Sequence, residues 1–266
     1  MSNASPMTTI DVSATPPVPL ARLAQVELRK AMDTRAGFWV NAGVLGLVSV
    51  VLLIYVLVAP DGSKNFGDML TVSGAVLGYF LPIIIIMLVT SEQSQRNGLV
   101  TFTLEPRRSR VVIAKFVAGL GLTVGVLAVA VVLSVLFTGI AAVLGDAPEW
   151  SVEGTLLFNS FLLANVIGVL TGFAIAMLVM NTPAGIVIYF AYTLVLPIAV
   201  GILGALSEGF DKIAPWIEFN TAQQPLFTGD YQPSGEEWAQ FATAGVIWLV
   251  VPLVLGTLRL LRIEFK

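Results

Sequence analysis

The sequence predicts an all-α polytopic membrane protein, with six transmembrane helices preceded by an N-terminal amphipathic interfacial helix. Three observations carry this. Of the 266 residues, 56% are hydrophobic and only 12% charged, where a soluble domain carries roughly 25% charge, and mean hydropathy is +0.89. Six apolar stretches lack Lys, Arg, Asp and Glu altogether, and each reaches the roughly 18–20 residues that a helix needs to cross a bilayer. The charges gather between these stretches, and the basic ones fall almost wholly on one side of the implied membrane.

Taken in order, residues 1–18 are rich in Ser, Thr and Pro with Asp11 as their only charge, the composition of a disordered tail. No basic segment leads into an apolar one there, so a cleaved signal peptide is not expected. Residues 19–35 follow as an amphipathic helix that begins at Pro19, a residue suited to a helix start. At 100° per residue, Leu20, Leu23, Ala24, Leu28, Ala31 and Met32 share one side. Arg22, Gln25, Arg29 and Asp33 lie opposite, and Val26 and Glu27 break the pattern. Because a span follows at once, this helix is read as lying in the membrane interface; the alternative is a helix packed on the protein.

Residues 36–266 form the transmembrane domain. Its expected spans are Phe38–Ala59, Met69–Thr90, Phe116–Leu144, Thr155–Met180, Pro183–Leu206 and Phe241–Leu258. The third is long enough to tilt or to project beyond the bilayer. Asn181-Thr182-Pro183 makes a tight turn between the fourth and fifth. With both termini inside, 12 of the 14 Lys and Arg residues are cytoplasmic, and only Lys64 and Lys212 are outside. That asymmetry sets the orientation in the cell membrane. Of the 17 acidic residues, 11 fall outside. The external loop 207–240 carries Pro215-Trp216 and Glu236-Glu237-Trp238, read as short interfacial helices. The internal loop 91–115 concentrates five basic residues, Arg96, Arg107, Arg108, Arg110 and Lys115.

The composition also excludes chemistry. There is no Cys and no His, so disulfides, thiolate metal sites and the commonest metal ligand and general base are ruled out, and no metal site is expected. The basic residues flank apolar spans, where orientation explains them, so nucleic acid is not an expected partner. A charge at mid-membrane costs about 2.5–3.5 kcal/mol on insertion scales and is kept for a purpose; these spans hold none. Asn159 and Asn165 are candidates for lining a substrate path, although hydrogen bonding between helices is the simpler role. Pro82, Pro197 and Pro252 lie within spans, where kinks are tolerated. Ser160, Ala164, Gly168, Gly172 and Ala176 repeat every four residues, with Gly74 and Gly78, and Gly121 and Gly125, in neighbouring spans. Such residues allow close helix approach, within one subunit or between two. No G-x-x-x-x-G-K-[ST] frame is present, so the chain is not expected to bind ATP or to be an enzyme by itself.

Two blocks, VELRKAMDTRAGFW (Val26–Trp39) and EQSQRNGLVTFTLEPRRSRVVIAK (Glu92–Lys115), resemble the permease subunits of ABC type-2 exporters, especially actinobacterial ones. Glu92, Gly98, Pro106, Arg108, Arg110 and Lys115 match the family's pattern after the second span, whereas Ser109 stands where many members place Arg. The resemblance implies a half-transporter, paired with a second copy or a related permease and with a dimer of cytoplasmic ATPase subunits that bind ATP and Mg. It implies that Glu92, Arg96, Gly98, Thr101, Phe102, Glu105, Pro106, Arg107 and Arg108 form an ATPase-docking coupling loop. Arg110 and Lys115 are expected to anchor at lipid headgroups. Uncharged spans suit an apolar or amphipathic substrate such as a lipid, drug or peptide. The alternatives are a non-transporting scaffold or signalling subunit and, less favoured for want of intramembrane charge, a secondary carrier.

Overall fold

The computed structural model describes residues 18–60, 62–94, 107–227 and 233–262. Among them all regular structure is helical, and six helices are long and apolar enough to cross a membrane. The chain is thus an all-α polytopic protein. Residues 1–17 of the expected 1–18 tail and the centre of the expected coupling loop, 95–106, lie outside the described residues, as do the side chains at 92–94.

Helix α1, Leu20–Asp33, starts directly behind Pro19. It stops at Thr34, whose extended backbone (φ −74°, ψ 142°) turns the chain. The Thr34 hydroxyl accepts the Gly37 N–H at 3.1 Å and so opens α2, Arg35–Val58. Glycine is required at 37 because a Cβ there would fall 2.1 Å from the Ala31 carbonyl oxygen. Helix α3, Phe66–Ser94, returns across the bundle. Helix α4, Arg108–Val143, follows and has 36 residues. At 1.5 Å per residue it is about 54 Å long, well beyond a hydrocarbon core of about 30 Å. It begins two turns before the expected Phe116, so Ser109–Lys115 are helical and not loop. The positive φ of Gly145 (108°) follows its end.

Helix α5, Leu156–Val179, is joined to α6, Thr182–Leu206, by Met180 in the left-handed conformation (φ 54°) and by Asn181, whose side chain accepts the Ala184 N–H at 3.0 Å. Short helices α7, Glu208–Ile217, and α8, Phe219–Gln223, lead towards α9, Gly235–Leu261. Ser234 and Glu237 cap the start of α9 reciprocally.

The three intraspan prolines are accommodated differently. Pro197 and Pro252 each come one residue after a π turn, Ala191–Val195 and Val246–Val250, whose last widened bonds run from the Leu196 N–H to the Ala191 carbonyl and from the Val251 N–H to the Val246 carbonyl. Pro82 sits inside α3 with no such widening. A third π segment, Leu156–Leu163, opens α5 without a proline.

Helix α3 is central. It packs on α2, α4, α5 and α6, with Leu70, Leu77, Leu81 and Ile85 fully buried. The outward faces of α6 and α9 are apolar, for example Val187, Val195, Ile198, Val250 and Leu255. A surface of that kind is at home in hydrocarbon and not in water.

Candidate functional site

The start of α2 with Arg35, the start of α4 with Arg108, Arg110 and Lys115, and the end of α9 with Arg259 form one end of the bundle, where the adjoining ends of α3, α5 and α6 meet them and α1 is packed. On α1, Ala24 and Glu27 are buried and Leu23, Leu28 and Ala31 half-buried, while Arg22, Gln25, Arg29 and Asp33 are exposed. Of the apolar face that the sequence would lay on lipid, Leu23, Ala24, Leu28 and Ala31 turn towards the protein, where α1 packs on α4 and α2, while Leu20 and Met32 at its two ends are exposed.

Glu27, which breaks the apolar pattern of α1, explains itself here. It is 6% exposed, and its Oε2 lies 2.7 Å from the Nζ of Lys115, itself 5% exposed. Its Oε1 is 2.6 Å from Lys30 Nζ, one helical turn on. Lys115 also reaches the Leu88 carbonyl of α3 at 3.4 Å. The anchoring expected of Lys115 at headgroups is therefore corrected: it is enclosed and joins α1, α3 and α4. The reason is the early start of α4, which places residue 115 two turns inside a helix and opposite Glu27.

Three arginines of this end donate to carbonyls. Arg108 donates from Nη1 to the Leu260 carbonyl at 2.7 Å, fastening the first turn of α4 to the end of α9. Arg259 donates to the Leu178 carbonyl at 2.8 Å, at the end of α5. Cations at helix C-termini satisfy orphan carbonyls and complement the dipole. Arg110 donates to the Val18 carbonyl, just ahead of α1. Arg107 is exposed beside the start of α4. Thr90 and Thr182 bond through their hydroxyls at 2.6 Å, tying α3 to α6. Of the expected docking residues, Arg107 and Arg108 are thus placed at one edge of the segment. Arg96, Gly98, Thr101, Phe102, Glu105 and Pro106, and the side chain of Glu92, lie outside the described residues.

Asn165 is 1% exposed and donates from Nδ2 to the Phe161 carbonyl at 2.8 Å and to the Gly74 carbonyl of α3 at 3.4 Å. It joins helices, the simpler of its two expected roles. Asn159 is half-buried within the π segment, where its backbone carbonyl accepts the Ala164 N–H. The small-residue repeat of α5 also faces inward. A Cβ on Gly172 would meet Pro82 Cβ at 2.8 Å and the Pro82 carbonyl at 2.9 Å. One on Gly168 would meet Pro82 Cγ at 3.4 Å. Gly121 and Gly125 of α4, by contrast, face nothing within 4 Å.

At the opposite end, Lys64 pairs with Asp146 at 2.9 Å, and Asn65 accepts the Glu149 N–H at 2.8 Å. Glu218, 1% exposed, accepts from the backbone and side chains of both Asn220 and Thr221, at 2.6–2.9 Å. It is a satisfied helix cap. No known family model matches this chain, and neither does any curated protein with which it was compared.

Proposed function

We propose that this chain is the membrane-spanning permease subunit of an ATP-driven exporter, and that segment 95–106 receives the stroke of a separate cytoplasmic ATPase dimer. The observation that carries the reading is the position of that segment. It links the ends of α3 and α4, and α3 is the helix against which α2, α4, α5 and α6 are all packed. A force applied at Ser94 would be felt by most of the bundle, because close-packed helices move as bodies. None of the six apolar stretches between Phe38 and Leu258 carries a Lys, Arg, Asp or Glu at mid-membrane, so the energy for uphill transport enters from a partner. The basic end is cytoplasmic, and the substrate is apolar or amphipathic.

The loop replacement that tests this should spare Arg108, which holds α9. With residues 95–106 exchanged for Gly and Ser, the chain should still fold. It should lose co-purification with an ATP-hydrolysing subunit, or keep the subunit but lose the link between hydrolysis and transport in proteoliposomes. Unchanged coupling in the exchanged protein would overturn the assignment.

A further inference from the structure

At the middle of the bundle, one carbonyl is held by an unusual donor. In an α-helix the carbonyl of residue 78 accepts the N–H of residue 82, but residue 82 is Pro. The Gly78 carbonyl of α3 accepts instead from the hydroxyl of Tyr189 on α6, at 2.9 Å. Tyr189 is 2% exposed, so its hydroxyl has no bulk water ready to replace the carbonyl it serves.

We propose that Pro82, Gly78 and Tyr189 form a releasable latch on a hinge in α3, in which the tyrosine hydroxyl stands in for the N–H that Pro82 lacks and its release lets the Ser94 half of α3 swing. Three features support it. Pro197 and Pro252 each stand just after a π turn in their own helix, whereas α3 has no π turn at Pro82 and its Gly78 carbonyl takes a donor from a second helix. The Pro82 ring seats in the notch that Gly168 and Gly172 leave on α5, with added Cβ atoms at 2.8–3.4 Å from it, so backbone meets ring with nothing compliant between. That contact is a fulcrum. Finally, the two halves of α3 are held by different partners: Gly74 by Asn165 on one side of the hinge, Thr90 by Thr182 and Leu88 by Lys115 on the other. The latch needs no ATPase, and so stands or falls apart from the exporter reading.

The chain has no cysteine, so Thr71→Cys with Ser91→Cys gives a clean spin-label pair across the hinge. At 1.5 Å per residue the two positions are about 30 Å apart along the helix axis. In nanodiscs the parent should show one dominant distance. Tyr189→Phe should raise a second, shorter distance by about tenfold in population, the effect of one lost hydrogen bond at a two-state element. Pro82→Ala restores the N–H to Gly78, so Pro82→Ala with Tyr189→Phe should return to one distance. A distribution unmoved by Tyr189→Phe, or a double variant as broad as the single, overturns the latch. If Tyr189→Phe alone does not fold, normal folding of the double variant supports the proposal and its failure overturns it.

Discussion

Glu27 is the residue whose meaning changed most between sequence and structure. As a position on a helical wheel it interrupts an apolar face; in the bundle it is a counter-ion of the enclosed Lys115. Breaking a buried pair by removing one member typically costs about 3–5 kcal/mol, whereas replacing both with apolar groups of similar volume is often neutral. Glu27→Ala should therefore lower the unfolding midpoint in detergent sharply, by an amount corresponding to about 3 kcal/mol or more. Glu27→Leu with Lys115→Met should recover most of the loss. Equal destabilisation by the single and the double change would show that the pair is not what holds α1 in place. Arg108 carries a similar lesson. Its charge was legible as part of a basic loop, but its partner, the Leu260 carbonyl, is 152 residues away and no local pattern announces it.

Among elements, the contact between α3 and α5 is governed by glycine and proline together. The four-residue repeat in α5 was readable, but whether it faced a neighbour in the same chain or a second copy was not. The Pro82 ring in the Gly168/Gly172 notch places it inside the chain. Gly172→Ala should push the two helices apart and destabilise by about 1–3 kcal/mol, the range for overpacking a tight contact. Gly125→Ala, with nothing within 4 Å of its added Cβ, should stay within about 0.5 kcal/mol. Thermal unfolding of both variants in the same detergent separates the two outcomes. If both were neutral, the notch would be looser than its geometry. The helix boundaries divide in the same way. Five of the six expected spans begin within six residues of the observed helices, while α4 starts eight before the expected Phe116. Its first turns are basic, and hydropathy alone discounts them; pairing with Glu27 and with the carbonyls at the end of α9 is what lets them continue the helix.

For the whole molecule, the asymmetry of basic charge predicts which end faces the cytoplasm. A cysteine placed at Lys212 should react with a membrane-impermeant maleimide on intact cells, and one at Arg107 should react only after the membrane is opened. The reverse pattern would invert the orientation and remove segment 95–106 from the reach of any cytoplasmic ATPase.

The sequence by itself determined the class of protein, the number of spans and the distribution of charge. Those follow from the solvent: a bilayer demands long apolar helices with satisfied backbones, and that demand is written locally, residue after residue. Only the tertiary structure decided that the middle of α1's apolar face turns to the protein, that Lys115 meets Glu27, and that Tyr189 serves the carbonyl which Pro82 leaves without a donor. These are pairings between residues far apart in the chain. A buried charge or carbonyl takes whatever donor the packing brings near, and the packing is settled by shape, which no single segment contains.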